Sequence, residues 1–135
     1  MSESSRGYLE STLSEFERVL EIGIGNRTGL AERLNERGIR VFAIDIDPPE
    51  MHAGVQVIKA DIHSVDPSRF KPLDAVYARR LPPELHRPTA RFAEAIACPL
   101  FFTTLGGEVP IVPTKTVTGP QETIYVRQPE SGSIL

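Results

Sequence analysis

Short aliphatic runs alternate with amphipathic stretches along most of the chain. Leu9, Leu13 and Phe16 recur at helical spacing in "GYLESTLSEFE", which predicts a short amphipathic helix within residues 1–17. The period then changes. "RVLEIGIG" reads as a buried strand running into a glycine turn, and "NRTGLAERLNERG" as a helix starting at Asn26–Thr28, with Leu30 and Leu34 inward and Gly38 as its stop. "IRVFAIDID" is a second buried strand, ended by Pro48 and Pro49; "VQVIKADI", "LDAVYA" and "PLFFTTLGG" are the third, fourth and fifth. Between the fourth and fifth, "PPELHRPTARFAEAIA" carries an apolar stripe of Leu85, Phe92, Ala93, Ile96 and Ala97. Pro83 suits a first helical turn, whereas Pro88 predicts a break or kink. "IVPTKTV" and "ETIYVRQ" flank the turn "TGPQ" as a terminal hairpin, and residues 129–135 read as a frayed tail.

Apolar strands separated by helices or short crossovers define an α/β fold: a three-layer sandwich with a mostly parallel, twisted sheet and an antiparallel hairpin at one edge. Residues 19–23 and 73–78 are the expected central strands, in one domain spanning residues 1–135. Right-handed crossovers bring the carboxyl ends of the parallel strands to one edge, where open α/β sheets bind ligands.

Composition narrows the function classes only a little. A hydrophobic fraction of 40% and a charged fraction of 24% are those of a globular chain. No apolar run approaches the roughly 20 residues that span a bilayer, so no membrane partner is expected. The start "MSESSRGYLE" lacks the basic and apolar regions of an export signal, which leaves a cytoplasmic location as the expectation. A net charge of -3 gives no global reason to expect nucleic acid. The single cysteine, Cys98, excludes an intrachain disulfide and a multi-cysteine metal site, and its apolar neighbours mark it as a buried small residue. Lysine occurs only at 59, 71 and 115, so arginine carries most of the positive charge.

The chemistry is concentrated at the strand ends. Gly23 and Gly25 let the backbone turn sharply and let a ligand approach without meeting a β-carbon. Alone, such a pair ends strands of many kinds. Asp45 follows roughly 20 residues later at the end of the second strand, the offset at which a carboxylate reaches the two hydroxyls of a ribose. Asp47 suits the turn before Pro48. Asp61, ending the third strand, either meets an adenine amino group or caps the segment "SVDPSRF".

"VLEIGIGNRTG", "VFAIDID", "VIKADIH" and "LDAVYA" resemble, in order, the motif series of class I S-adenosylmethionine-dependent methyltransferases. With "YARRLPPEL" and "LGGEVP", most of the chain resembles a small archaeal family of that Rossmann-like fold. The resemblance implies that Glu21, Gly23 and Gly25 form the floor beneath the methionine part of S-adenosylmethionine, that Asp45 holds the ribose and that Asp61 meets the adenine. The family pattern places another glycine where this chain has Arg27. A dinucleotide such as NAD is the rival ligand, but the GxGxxG frame fails at Thr28, and a carboxylate at Glu21 repels a pyrophosphate while tolerating a sulfonium cation.

Catalytic residues are less legible. Tyr77 is a candidate to orient an acceptor, and Arg79 and Arg80 to bind an anionic one through forked donors, unless these arginines simply face water. His63 and His86 are candidate general bases, with His52 less well placed. Arg87 and Arg91 lie one turn apart, each three residues from Glu84 or Glu94, which predicts intrahelical pairing. The chain offers little beyond Gly107 to cover an acceptor. Self-association as a homodimer, a separate protein partner, and a non-catalytic interaction module using "YARRLPPEL" and "LGGEVP" are therefore all open.

Overall fold

The computed structural model describes residues 7–50, 54–119 and 122–130. His52, Pro120, Gln121 and residues 131–135 of the tail lie outside them. Among the described residues the elements follow in the order α1 (Tyr8–Leu13), β1 (Arg18–Ile22), α2 (Gly29–Glu36), β2 (Arg40–Asp45), β3 (Val55–Lys59), β4 (Ala75–Leu81), α3 (His86–Ala95), β5 (Leu100–Thr104), β6 (Lys115–Thr118) and β7 (Thr123–Arg127). Short 3-10 turns at Pro67–Phe70 and Pro83–Leu85 precede β4 and α3.

One sheet of order β3-β2-β1-β4-β5-β7-β6 holds all seven strands. Pairs among β1 to β5 are parallel, whereas β7 runs antiparallel to both β5 and β6. This is the mostly parallel sheet with an antiparallel edge hairpin expected from the pattern of strands. Leu9 and Leu13 of α1 and Leu30 and Leu34 of α2 pack on one face, with Val19, Val41 and Tyr77. Phe92 and Ala93 of α3, with Phe70, cover the other face against Leu20, Val76 and Leu100. Burial of aliphatic side chains on both faces is the main stabilising contribution, about 2 kcal/mol for each large one.

Polar contacts fix the outer layer. Glu10, 3% exposed, accepts from Arg33 Nε at 2.7 Å and from Arg37 Nη2 at 3.1 Å, tying α1 to α2. Glu122 accepts the Leu9 amide at 2.9 Å, which joins the terminal hairpin to the first turn of α1. Among the described residues, no helix is long and apolar enough to cross a membrane.

Two local expectations are corrected. The helix after β1 begins at Gly29 rather than Asn26–Thr28, because Gly23 and Gly25 adopt φ of 69° and 55° and carry the chain through a bend before helical geometry is reached. Pro88 causes no break within α3: it is the third residue of that helix, where a backbone N–H would have no intrahelical acceptor in any case. The interruption falls earlier, between the Pro83–Leu85 turn and His86.

Helices α2 and α3 end in the same way but with different residues. In α2 the Ile39 amide reaches Leu34 O and the Gly38 amide reaches Asn35 O; in α3 the Cys98 amide reaches Ala93 O and the Ala97 amide reaches Glu94 O. Both closures require a left-handed residue, which is Gly38 at φ 93° in the first case and Ala97 at φ 56° in the second. Replacing Ala97 by glycine removes the strain on its β-carbon. We predict that Ala97→Gly raises unfolding free energy by about 1 kcal/mol in urea denaturation; an unchanged or lower midpoint contradicts this reading of the cap.

Candidate functional site

The parallel order of β3, β2, β1 and β4 brings the ends of these strands to one edge, with the bend at Gly23–Gly25 over its middle. The bend is held by a side chain from the next strand: Asp45 Oδ2 accepts the Gly25 amide at 2.7 Å, while Asp45 Oδ1 accepts the Asp47 amide at 2.8 Å. The carboxylate is thereby fixed in direction. Each oxygen has spent one acceptor position and keeps another. A β-carbon built on Gly23 or Gly25 meets no atom within 4 Å, so the bend presents bare backbone to open space.

Two hollows adjoin this bend and share Gly23. The first, of about 350 Å³, is lined by Asp45, Asp61 and His63 and by the apolar side chains of Ile44, Ile46, Ile62 and Leu85. Asp45 and Asp61 thus converge on one cavity. The second, of about 210 Å³, lies against Glu21, Gly25, Arg27, Arg79, Arg80 and Leu105.

Register explains the floor of the second hollow. Glu21 on β1 is the Cα partner of Tyr77 on β4, so both side chains leave the same face of the sheet. The Tyr77 hydroxyl donates to Glu21 Oε1 at 2.8 Å, with Glu21 1% exposed and Tyr77 fully buried. Burial pushes the Glu21 carboxyl up from its ordinary 4.5 to about 7, against the opposing pull of Arg79 and the Tyr77 hydrogen bond. Burial, reinforced by the facing carboxylate, also raises the Tyr77 phenol well above its ordinary range and keeps it a donor. Tyr77 is therefore a partner for Glu21, enclosed in the sheet rather than directed at an acceptor.

Arg79 does not simply face water. Its Nη2 donates to Arg27 O at 2.7 Å, and its Nε lies 3.8 Å from Glu21 Oε2, sealed from solvent without a hydrogen-bond acceptor. Arg80 sits in an irregularity of the β4–β5 pairing at φ 55°, its amide donating to Thr103 Oγ1 at 2.8 Å. A left-handed arginine costs conformational energy that glycine avoids, and such strain collects at functional sites.

Asp61 Oδ1 accepts both the backbone amide and the ring Nδ1 of His63, each at 2.9 Å. The backbone bond, then the ring bond, holds the exposed Asp61 carboxyl below its usual range. Asp66, not Asp61, supplies the cap for Pro67–Phe70 by accepting the Ser68 amide. His63 thus sits in the first hollow, apart from the second where Arg79 and Arg80 lie. His86 is no general base: it is fully buried, its Nδ1 accepts the Ile111 amide at 3.2 Å, and its protonated Nε2 donates to Leu81 O at 3.0 Å. Both ring nitrogens are engaged. Among the described residues no cluster of three His, Cys, Asp or Glu could hold a metal ion.

The apolar walls of the first hollow escaped the reading by motif. Ile46 carries a signal in hindsight: it is a large aliphatic, 66% exposed, between Asp45 and Asp47.

The strand order, the glycine bend and the strand-end carboxylates define a Rossmann-like fold of the class I methyltransferase type. Solved structures agree on that fold. A candidate S-adenosyl-L-methionine-dependent methyltransferase from Methanococcus maripaludis superposes with a TM-score of 0.59 at 9% identity, covering 90% of this chain and 83% of its own. The MycE methyltransferase of mycinamycin biosynthesis, solved with magnesium, S-adenosylhomocysteine and mycinamycin VI, superposes at 0.57 with 15% identity over 95% of this chain; this chain spans 48% of it. The chain belongs to the Uncharacterised protein family UPF0146, whose pattern matches residues 8–128. A UPF0146 protein from the archaeon Halobacterium salinarum is 39% identical over 103 residues, which cover 76% of this chain and 80% of the relative.

Glu21 binds more protons in the folded than in the unfolded chain between 4.5 and about 7. Its contribution to stability is therefore greatest below that window and is lost as the pH rises through it. Glu21→Gln keeps an acceptor for Tyr77 but cannot ionise. Thermal midpoints measured across this window should fall with pH in the native protein and change less in the variant; equal slopes contradict the assignment.

Proposed function

We propose that the carboxyl edge binds S-adenosylmethionine and that the protein is a minimal protein of methyltransferase type with an unidentified acceptor. The observation that carries this reading is the convergence of Asp45 and Asp61 on a cavity that shares bare backbone at Gly23 with a second hollow floored by Glu21. In it, the remaining acceptor positions of Asp45 take the ribose hydroxyls, and Asp61 takes the adenine amino group. Ile44, Ile46 and Ile62 enclose the base. The amino-acid end lies over Gly23 and Gly25, with Glu21 beneath and Arg27 and Arg80 near its carboxylate. The bound ligand supplies an electrophilic methyl group; the chain holds and orients it.

Charge favours this ligand over a dinucleotide. A buried carboxyl with its pKa pushed up to about 7 gains its charge most readily when a cation sits above it, and a pyrophosphate has the opposite effect. Affinity for S-adenosylmethionine should therefore rise as the pH approaches 7 from below. S-adenosylhomocysteine, without the sulfonium, should show a shallower rise. Parallel slopes in calorimetric titrations would remove Glu21 from ligand selection.

The direct test is calorimetric titration of the native protein and of Asp45→Asn. The native protein should bind both adenosyl ligands, and the variant should bind them roughly tenfold to a hundredfold more weakly, as expected for hydrogen bonds to a charged acceptor. No heat up to millimolar ligand would defeat the proposal.

A second reading keeps the ligand but not turnover. Leu105, Val109 and Ile111 in the β5–β6 loop are 44%, 76% and 42% exposed, an apolar surface that favours a protein partner. Methylation of a fractionated cell extract by the purified protein, abolished by Asp45→Asn, would decide for catalysis; its absence despite ligand binding would decide for the interaction module.

A further inference from the structure

We propose that the hollow between α3, the β5–β6 loop and β7 is a binding site for the phosphoryl group of a small phosphorylated ligand. The hollow measures about 360 Å³, and its lining includes Arg87, Arg91 and Glu94 of α3, Arg127 of β7, and the apolar side chains of Ala90 and Val112. Arg87 and Arg91 stand one helical turn apart, and the third guanidinium comes from a strand 36 residues further along the chain than Arg91. It is separate from the two hollows at the Gly23–Gly25 bend.

Sequence spacing offered a simple explanation for Arg87 and Arg91, pairing with Glu84 and Glu94. The structure does not support it: no ion pair joins either arginine to a described carboxylate. Glu94 is engaged elsewhere, with its Oε1 accepting the Glu130 amide at 3.2 Å. Arg127 Nη1 donates to Pro113 O at 3.1 Å, which holds this guanidinium against the β5–β6 loop, and its Nε is sealed from solvent without an acceptor. With Arg87, Arg91 and Arg127 set against the single carboxylate of Glu94, the lining is net positive, although the chain as a whole carries -3.

Two ordinary accounts fit less well. Helical arginines commonly extend into water, but that does not explain a third arginine facing the same concavity from another element. A long polyanion would track along a positive stripe and would meet the negative charge of the remaining surface. A compact phosphoryl group presents three oxygens to three forked donors, and arginine rather than lysine is the cation suited to that geometry. Every cation in this lining is an arginine.

The experiment is an amide NMR titration of the full chain with pyrophosphate and, in parallel, with a short single-stranded oligonucleotide. Pyrophosphate should produce saturable shifts at Ala90, Arg91, Val112 and Arg127. The double variant Arg87→Gln/Arg91→Gln, with dispersion elsewhere in its spectrum confirming the fold, should bind it at least roughly tenfold more weakly. Absence of saturable shifts, or undiminished affinity in the double variant, overturns the proposal. Shifts at these residues with the oligonucleotide but none with pyrophosphate overturn it too, because they assign the arginines to a polymer backbone.

Discussion

The bond from the Gly25 amide to Asp45 is the constraint on which the carboxyl edge depends. It fastens the Gly23–Gly25 bend, whose Ile24 side chain is buried in the core, to the end of the neighbouring strand. Because the same carboxylate also accepts the Asp47 amide, its orientation is settled before any ligand arrives. Together with the Gly23 amide's bond to Ile44 O at 2.8 Å, the bond to Asp45 limits the conformations open to two left-handed glycines, which leaves less freedom to lose on binding. Asp45 thus has two roles, bracing the loop from below and offering its remaining lone pairs to the cavity.

Glu21 places a buried carboxyl beneath the same edge. A carboxyl sealed between β1 and β4 is costly to ionise, and the protein offsets this with one strong donor, Tyr77, and a nearby guanidinium at Arg79. Arg79 is itself held by Arg27 O on the loop that follows the bend. The network therefore couples the charge beneath the loop to the loop's own backbone. Strain at Arg80 lies next to it in the chain, in the irregular end of β4.

Much of the architecture was legible because it rests on local pattern. Five aliphatic runs became the parallel strands, the weaker extended pair became the terminal hairpin, and Gly38 ended its helix through a backbone conformation that glycine adopts freely. The carboxylates at strand ends were legible for the same reason, since strand position alone places Asp45 and Asp61 at one edge. What escaped depends on register and on side-chain direction. Glu21 and Tyr77 meet because β1 and β4 pair at those residues, a relation between segments 56 residues apart that no local pattern encodes. Pro88 reads as a breaker only for a helix that starts at Pro83; in one that starts at His86 it falls in the first turn. Arg87 and Arg91 had suitable acids at helical spacing, yet tertiary contacts took Glu94 elsewhere. Residue type alone makes His86 a candidate base, whereas its burial and its two backbone partners depend on tertiary packing.

The central claim is that braced glycines and two strand-end carboxylates hold an adenosyl ligand. Mass spectrometry of small molecules released from gently purified native protein and from Asp45→Ala tests it most directly. The account predicts S-adenosylmethionine or S-adenosylhomocysteine with the native protein and its loss from the variant. A nicotinamide dinucleotide in its place, or an adenosyl compound retained equally by both proteins, would contradict it.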